Sequence, residues 1–133
     1  MTILTLISLH DTFAIAQLPS DAEMPEWATR GRFFSMTRTA RELSIVCTDA
    51  DVPPDVTANR GWRCLRVAGT LDFALIGILA SAINPLAEAG ITVFALSTFD
   101  TDYLFIKESG FERAVTALRN AAHRVISDPA PEP

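Results

Sequence analysis

The rhythm of hydrophobic and polar positions is clearest in the second half of this chain. Over residues 62–69 it alternates, with Leu65 and Val67 on one side and Cys64 and Arg66 on the other, which predicts a strand. Leu75, Ile76, Leu79, Ile83, Leu86 and Ala87 then recur at helical spacing and predict a helix over 73–89. Pro85 falls late in that helix, and its ring nitrogen cannot donate to Ser81, so the final turn should kink or restart. Gly90 offers a left-handed cap, and a β-branched strand follows at 91–98. An aspartate-rich turn at 99–102 leads into a strand at 103–107, making a hairpin. Phe111, Ala114, Val115, Leu118 and Ala122 share one helical face over 111–123, and 124–126 can serve as a short last strand. The resulting order is β-α-β-β-α-β, an α+β chain of the ferredoxin-like kind.

The first half is richer in strands, at 3–9, 13–18, 33–38 and 43–47, the last two forming a hairpin about a polar turn. Residues 21–29 offer one short helix, with Ser20 or Asp21 as its cap and Pro25 in its first turn. The stretch ADVPPDVTANRG at 50–61 is loop chemistry and divides the chain. The expected organisation is a strand-rich unit at 1–58, a unit with two helices at 59–127, and a frayed, disordered acidic tail at 128–133. Strands 91–98 and 103–107 are apolar on both sides, so both sheet faces should be covered. The first half can supply that cover, and a homodimer through sheet or helix surfaces is the alternative.

Composition narrows the function more than the fold. With 133 residues, 49% hydrophobic and 20% charged, the chain can bury a core and is not intrinsically disordered. Eleven basic against sixteen acidic side chains leave a net charge of −5, the wrong sign for nucleic acid or an anionic membrane surface. The apolar run at 3–9 has no Lys or Arg before Arg30, so it reads as a first strand and not a secretory signal. The longest apolar run, 73–83, is well short of the ~20 residues needed to span a bilayer, and a soluble, cytoplasmic protein is expected. Cys47 and Cys64 are too few for a disulfide scaffold or a zinc site and read as reduced core thiols. His10 and His123 are the only near-neutral acid–base side chains, and nothing sets either beside a nucleophile. His123, close to a helix C-terminus, reads as a surface residue complementing the helix dipole. No catalytic residue, metal site or cofactor is therefore expected.

The string GWRCLRVAGTLDFALIGILASAINPLAEAGITVFALSTFDTDYLFIKE at 61–108 resembles the ACT domain, a small amino-acid-sensing module attached to many metabolic enzymes. With FFSMTRTARELSIVC upstream, residues 13–127 are similar to bacterial stand-alone ACT-like proteins. STFDTD is also similar to the ligand loop of the animal cytosolic arginine sensors. The resemblance implies two ACT-like units in tandem and a small ligand bound at an interface between units. Longer sensors contain further units, so a complete site would here draw on a second chain. It implies Gly69, Leu71 and Asp72 as ligand contacts in the loop after the first strand of the second unit. In the turn it implies the backbone carbonyls of Thr98 and Phe99, with the Asp102 carboxylate on an α-ammonium group.

The chemistry of these residues leaves alternatives open. A glycine at a strand end lets backbone approach a ligand, and a helix start presents free N–H groups to an anion. Asp72 can equally be a simple helix cap, worth about 1 kcal/mol. Asp102 can hold an ammonium or guanidinium group, or be one more turn aspartate, as Asp100 is read to be. The surplus of acid favours a zwitterion over phosphates, and arginine or lysine over aspartate. A regulatory amino-acid-binding protein is the leading reading. A small ferredoxin-like enzyme and a ligand-free assembly adaptor are the alternatives.

Overall fold

A computed structural model describes residues 3–69 and 77–128. Its strands in chain order are β1 (Thr5–Ser8), β2 (Phe13–Leu18), β3 (Ser35–Arg38), β4 (Leu43–Thr48), β5 (Ala58–Val67), β6 (Val93–Ser97), β7 (Asp102–Lys107) and β8 (Arg124–Ser127). The α-helices are α1 (Ile78–Glu88) and α2 (Phe111–Asn120). The chain separates into two units, Met1–His10 with Arg63–Pro133, and Asp11–Trp62.

The inserted unit, Asp11–Trp62, is an antiparallel sheet in the order β3-β4-β2-β5. Period-two alternation turns Ala14, Ala16, Leu43, Ile45 and Cys47 to one face, where they pack with Ala28 and Val52. The β3–β4 hairpin closes as its polar turn predicts, the Thr39 hydroxyl accepting from the amides of Arg41 and Glu42. The helix expected at 21–29 is only a 3-10 turn at Glu26–Thr29. Pro25 sits before it at φ −73°, ψ 147°, and a proline forces the residue ahead of it away from helical backbone. The Arg38 guanidinium holds that connection by donating to the carbonyls of Ser20 and Ala22. The linker expected at 50–61 is also more ordered than its composition suggests. Asp49 accepts from Arg60 at 2.9 Å through Oδ1 and from the Gly61 amide at 2.8 Å through Oδ2. Arg60 Nη2 donates to the carbonyls of Val52 and Pro53, and Nη1 also reaches the Asp49 carbonyl. That clamp lets β5 begin at Ala58, inside the stretch read as loop.

From β5 onward the other unit runs β-α-β-β-α-β, as anticipated from periodicity, and it has the ferredoxin-like α+β class. One strand was assigned to the wrong unit. β1 belongs here and not with residues 11–58, because it pairs antiparallel with β5 (Leu6↔Val67) and parallel with β8 (Leu6↔Val125). The sheet order is therefore β6-β7-β5-β1-β8, with β1 in the slot between β5 and β8. Leu4 and Leu6 join Leu65, Val67, Leu104, Ile106 and Val125 on one sheet face, and α1 and α2 cover it with Ile78, Ala82, Leu86, Ala114 and Leu118. The sequence pattern could not give this, since an apolar alternating run looks alike whichever sheet it enters.

The helices differ at their ends from the periodic reading. α1 begins at Ile78 because Gly77 has φ +80°, a left-handed conformation that a helix cannot contain. Residues 73–76 of the expected helix lie outside the described residues. α1 continues through Pro85 to Glu88 and ends as expected at Gly90, φ +73°. Its closing bonds run from the Gly90 amide to Ala87 and from the Ile91 amide to Leu86. α2 stops at Asn120, short of 123, and Ala122 is an exposed residue at φ +73°.

Candidate functional site

The β6–β7 hairpin carries half of the sequence-predicted ligand residues. Its pairing runs from Val93↔Ile106 to Ser97↔Asp102, so the turn is 98–101 and Asp102 is the first residue of β7. Threonines close the turn where the sequence suggested aspartates. The Thr98 amide donates to the Thr101 carbonyl at 2.9 Å, and the Thr98 hydroxyl donates to the same carbonyl at 3.2 Å. The Thr101 amide donates to Thr98 Oγ1 at 3.3 Å. Asp102 Oδ1 accepts from the Ser97 hydroxyl across the strand pair. Alternation along β7 puts Asp102 on the same side as Leu104 and Ile106, the side that α1 and α2 cover. The Phe99 ring at the tip is 80% exposed.

Gly69 lies just past the end of β5, exposed, at φ +86°, with nothing within 4 Å of where a Cβ would stand. Glycine is needed there for the backbone angle, and its lack of a side chain leaves the approach open. Leu71 and Asp72 lie outside the described residues. The structure nevertheless ties the two predicted segments together through a residue that sequence reasoning missed. Thr101 is 5% exposed, and its hydroxyl donates to the Val67 carbonyl at 2.7 Å, two residues before Gly69. The signal available was weak, one more threonine in a polar turn.

His123 is a second correction. It is 4% exposed, not a surface residue. The Leu4 amide donates to its Nδ1 at 3.0 Å, which leaves the proton on Nε2, and that nitrogen donates to the Ser81 carbonyl at 2.8 Å. Ser81 is the residue that Pro85 deprives of its helical partner, so His123 supplies the donor that the proline ring lacks. A groove of about 780 Å³ opens beside it, between α1 and α2. Its walls are mostly small, with Ala80, Ala89, Ala117 and Ala121, and among the described residues Gly69, Thr98, Phe99 and Asp102 do not line it.

Neither thiol is set up as a nucleophile. Burial, reinforced by the Asp51 and Asp49 carboxylates, pushes Cys47 up to about 11, and burial raises Cys64 further. Both are free and buried. Burial also raises the Tyr103 phenol, opposed by the Arg66 guanidinium. Among the described residues no three His, Cys, Asp or Glu side chains are grouped as a metal would need, and no helix is long and apolar enough to cross a membrane.

A βαββαβ run from β5 to β8 with both helices on one sheet face, β5 ending next to Gly69 and a polar hairpin turn beside it define a small ferredoxin-like module. The protein contains an ACT domain, to whose family model residues 57–120 match, and is related to the animal cytosolic arginine sensors. The family model described as an ACT domain matches residues 57–120, and a model of an N-terminal domain matches 11–55. A crystal structure of a protein from Agobacterium tumefaciens is 36% identical with a TM-score of 0.92, covering 100% of this chain and 99% of that one. The human cytosolic arginine sensor for mTORC1 subunit 1 is 33% identical over 103 residues, 71% of this chain and 31% of that protein. The chain thus spans about a third of the length of that relative. Aspartate kinase of Clostridium acetobutylicum, 15% identical with a TM-score of 0.66 over 90% of this chain and 35% of the kinase, shares the fold.

Proposed function

We propose that this protein is a non-catalytic regulator that binds an α-amino acid at the Thr98–Asp102 turn and the Gly69–Asp72 loop. The observation that carries this reading is the placement of Asp102. It is half-buried, on the helix-bearing side of the sheet, at the end of a hairpin anchored beside the exit of β5. A carboxylate there suits an α-ammonium group, with the carbonyls of Thr98 and Phe99 as further acceptors. The ligand carboxylate is assigned to the segment that begins at Gly69, by the resemblance that names Leu71 and Asp72 as contacts. The chain's acid surplus favours a basic side chain, so L-arginine and L-lysine rank first. Buried, unactivated thiols and a histidine engaged at both nitrogens support regulation over chemistry. We take residues 11–62 as a helix-poor ACT-like unit, and a second copy of the chain as the surface that covers the exposed turn.

Calorimetry across the twenty amino acids, on wild type and Asp102→Asn, tests this reading. The substitution keeps the shape and removes the charge, and it should cost about 2–5 kcal/mol of binding. An unchanged Kd would reduce Asp102 to a turn residue. A flat screen on wild type would favour a ligand-free adaptor.

A further inference from the structure

We propose that Thr101 is the positioning residue of this site, fixing the ligand turn to the exit of β5 through its hydroxyl. The inference rests on the amino-acid reading above. A hydroxyl in a hairpin turn is usually solvated, but that of Thr101 is withdrawn into the unit with the residue 5% exposed. Its 2.7 Å bond to the Val67 carbonyl reaches across 34 positions of sequence. The backbone of the same residue closes the turn, its carbonyl taking both the amide and the hydroxyl of Thr98. One residue therefore sets the shape of the turn and its station relative to the segment that leads into Gly69. Thr98 and Phe99 can offer carbonyls to a ligand only while that shape holds. Asp102 follows Thr101 directly, so its carboxylate is placed by the same anchor.

Thr101→Val is nearly isosteric, removes the donor and leaves the Val67 carbonyl without it. Thr101→Ser keeps the donor and loses a methyl group. In the ligand-free protein, amide exchange at Thr98 should quicken about tenfold in the valine variant and return to near the wild-type rate in the serine variant. The amide resonances of Ala68 and Gly69 should shift with it. With L-arginine as the calorimetric probe, affinity should fall about tenfold in the valine variant and recover to within about threefold in the serine variant. Equal losses in both variants would assign the effect to methyl packing and overturn the proposal. So would unchanged exchange at Thr98 in the valine variant. Failure of wild type to bind L-arginine would count against the amino-acid reading for that probe, and the exchange measurement would still decide whether Thr101 holds the turn.

Discussion

Pro85 and His123 form the most instructive pair at the scale of single residues. A proline inside a helix removes one donor and orphans the carbonyl four residues back, and here a buried imidazole from beyond α2 fills that vacancy at 2.8 Å. The arrangement predicts non-additive energetics. His123→Ala should destabilise by about 2–4 kcal/mol, because it removes the acceptor of the buried Leu4 amide and the imidazole donor to the Ser81 carbonyl. In a Pro85→Ala background the helix can supply its own donor to Ser81, and the same substitution should cost about 1 kcal/mol less. Urea denaturation of the four proteins measures the coupling, and simple additivity would refute this account. The missing donor at Pro85 is legible in the sequence. The identity of its replacement is not, because Ser81 and His123 are 42 positions apart and nothing local links them. The same distance problem hid Thr101, whose partner is set by the register of a strand elsewhere in the sheet.

At the scale of elements, α1 and α2 end in the same way with different residues. The Ile91 amide reaches Leu86 and the Gly90 amide reaches Ala87, and the His123 amide reaches Leu118 and the Ala122 amide reaches Arg119. Each motif turns on a residue at φ +73°, glycine in one helix and alanine in the other. A side chain in that conformation costs about 1 kcal/mol or more. Ala122→Gly should therefore raise stability and Gly90→Ala should lower it, each by about 1 kcal/mol, as shifts of the denaturation midpoint at constant slope. Glycine announced the end of α1 in the sequence, and α2 carried no such mark, which is why its end was placed three residues late. The strands of the second half were read to within two residues at their ends, except for β5. Its early start depends on the Asp49–Arg60 clamp, an ion pair that composition alone cannot show. The aspartates of the β6–β7 turn misled for a related reason. Either residue type can satisfy a turn, and register gave the role to threonine.

For the whole molecule, the decisive fact is that Asp11–Trp62 interrupts the unit that carries the candidate site. A fragment spanning only 59–128 lacks β1. Its β5 and β8 would face an empty slot, and the core would lose Leu4 and Leu6. Such a fragment should show no cooperative thermal transition, whereas the full chain should. A sharp transition in the fragment would show that β1 is dispensable. Amino-acid binding should disappear with the fold, since Gly69 and Thr101 both depend on the sheet around Val67.

The place of β1 also has a meaning in time. The Leu4 amide and His123 are separated by 119 positions, so β1 meets its parallel neighbour β8 only after all the residues between them have been made. At roughly 5–20 residues per second, β8 follows β1 by on the order of ten seconds, and until then β5 is the one sheet neighbour β1 can have. The β3–β4, β4–β2 and β2–β5 pairings lie within 11–62 and need no such delay. Closure of the site-bearing sheet is thus a late, long-range event, governed by the entropy of a very large loop. Until β8 is in place, the edge of β1 opposite β5 lacks its native partner, and a concentration-dependent yield of dimer on refolding would be the sign of that edge being filled by a second copy.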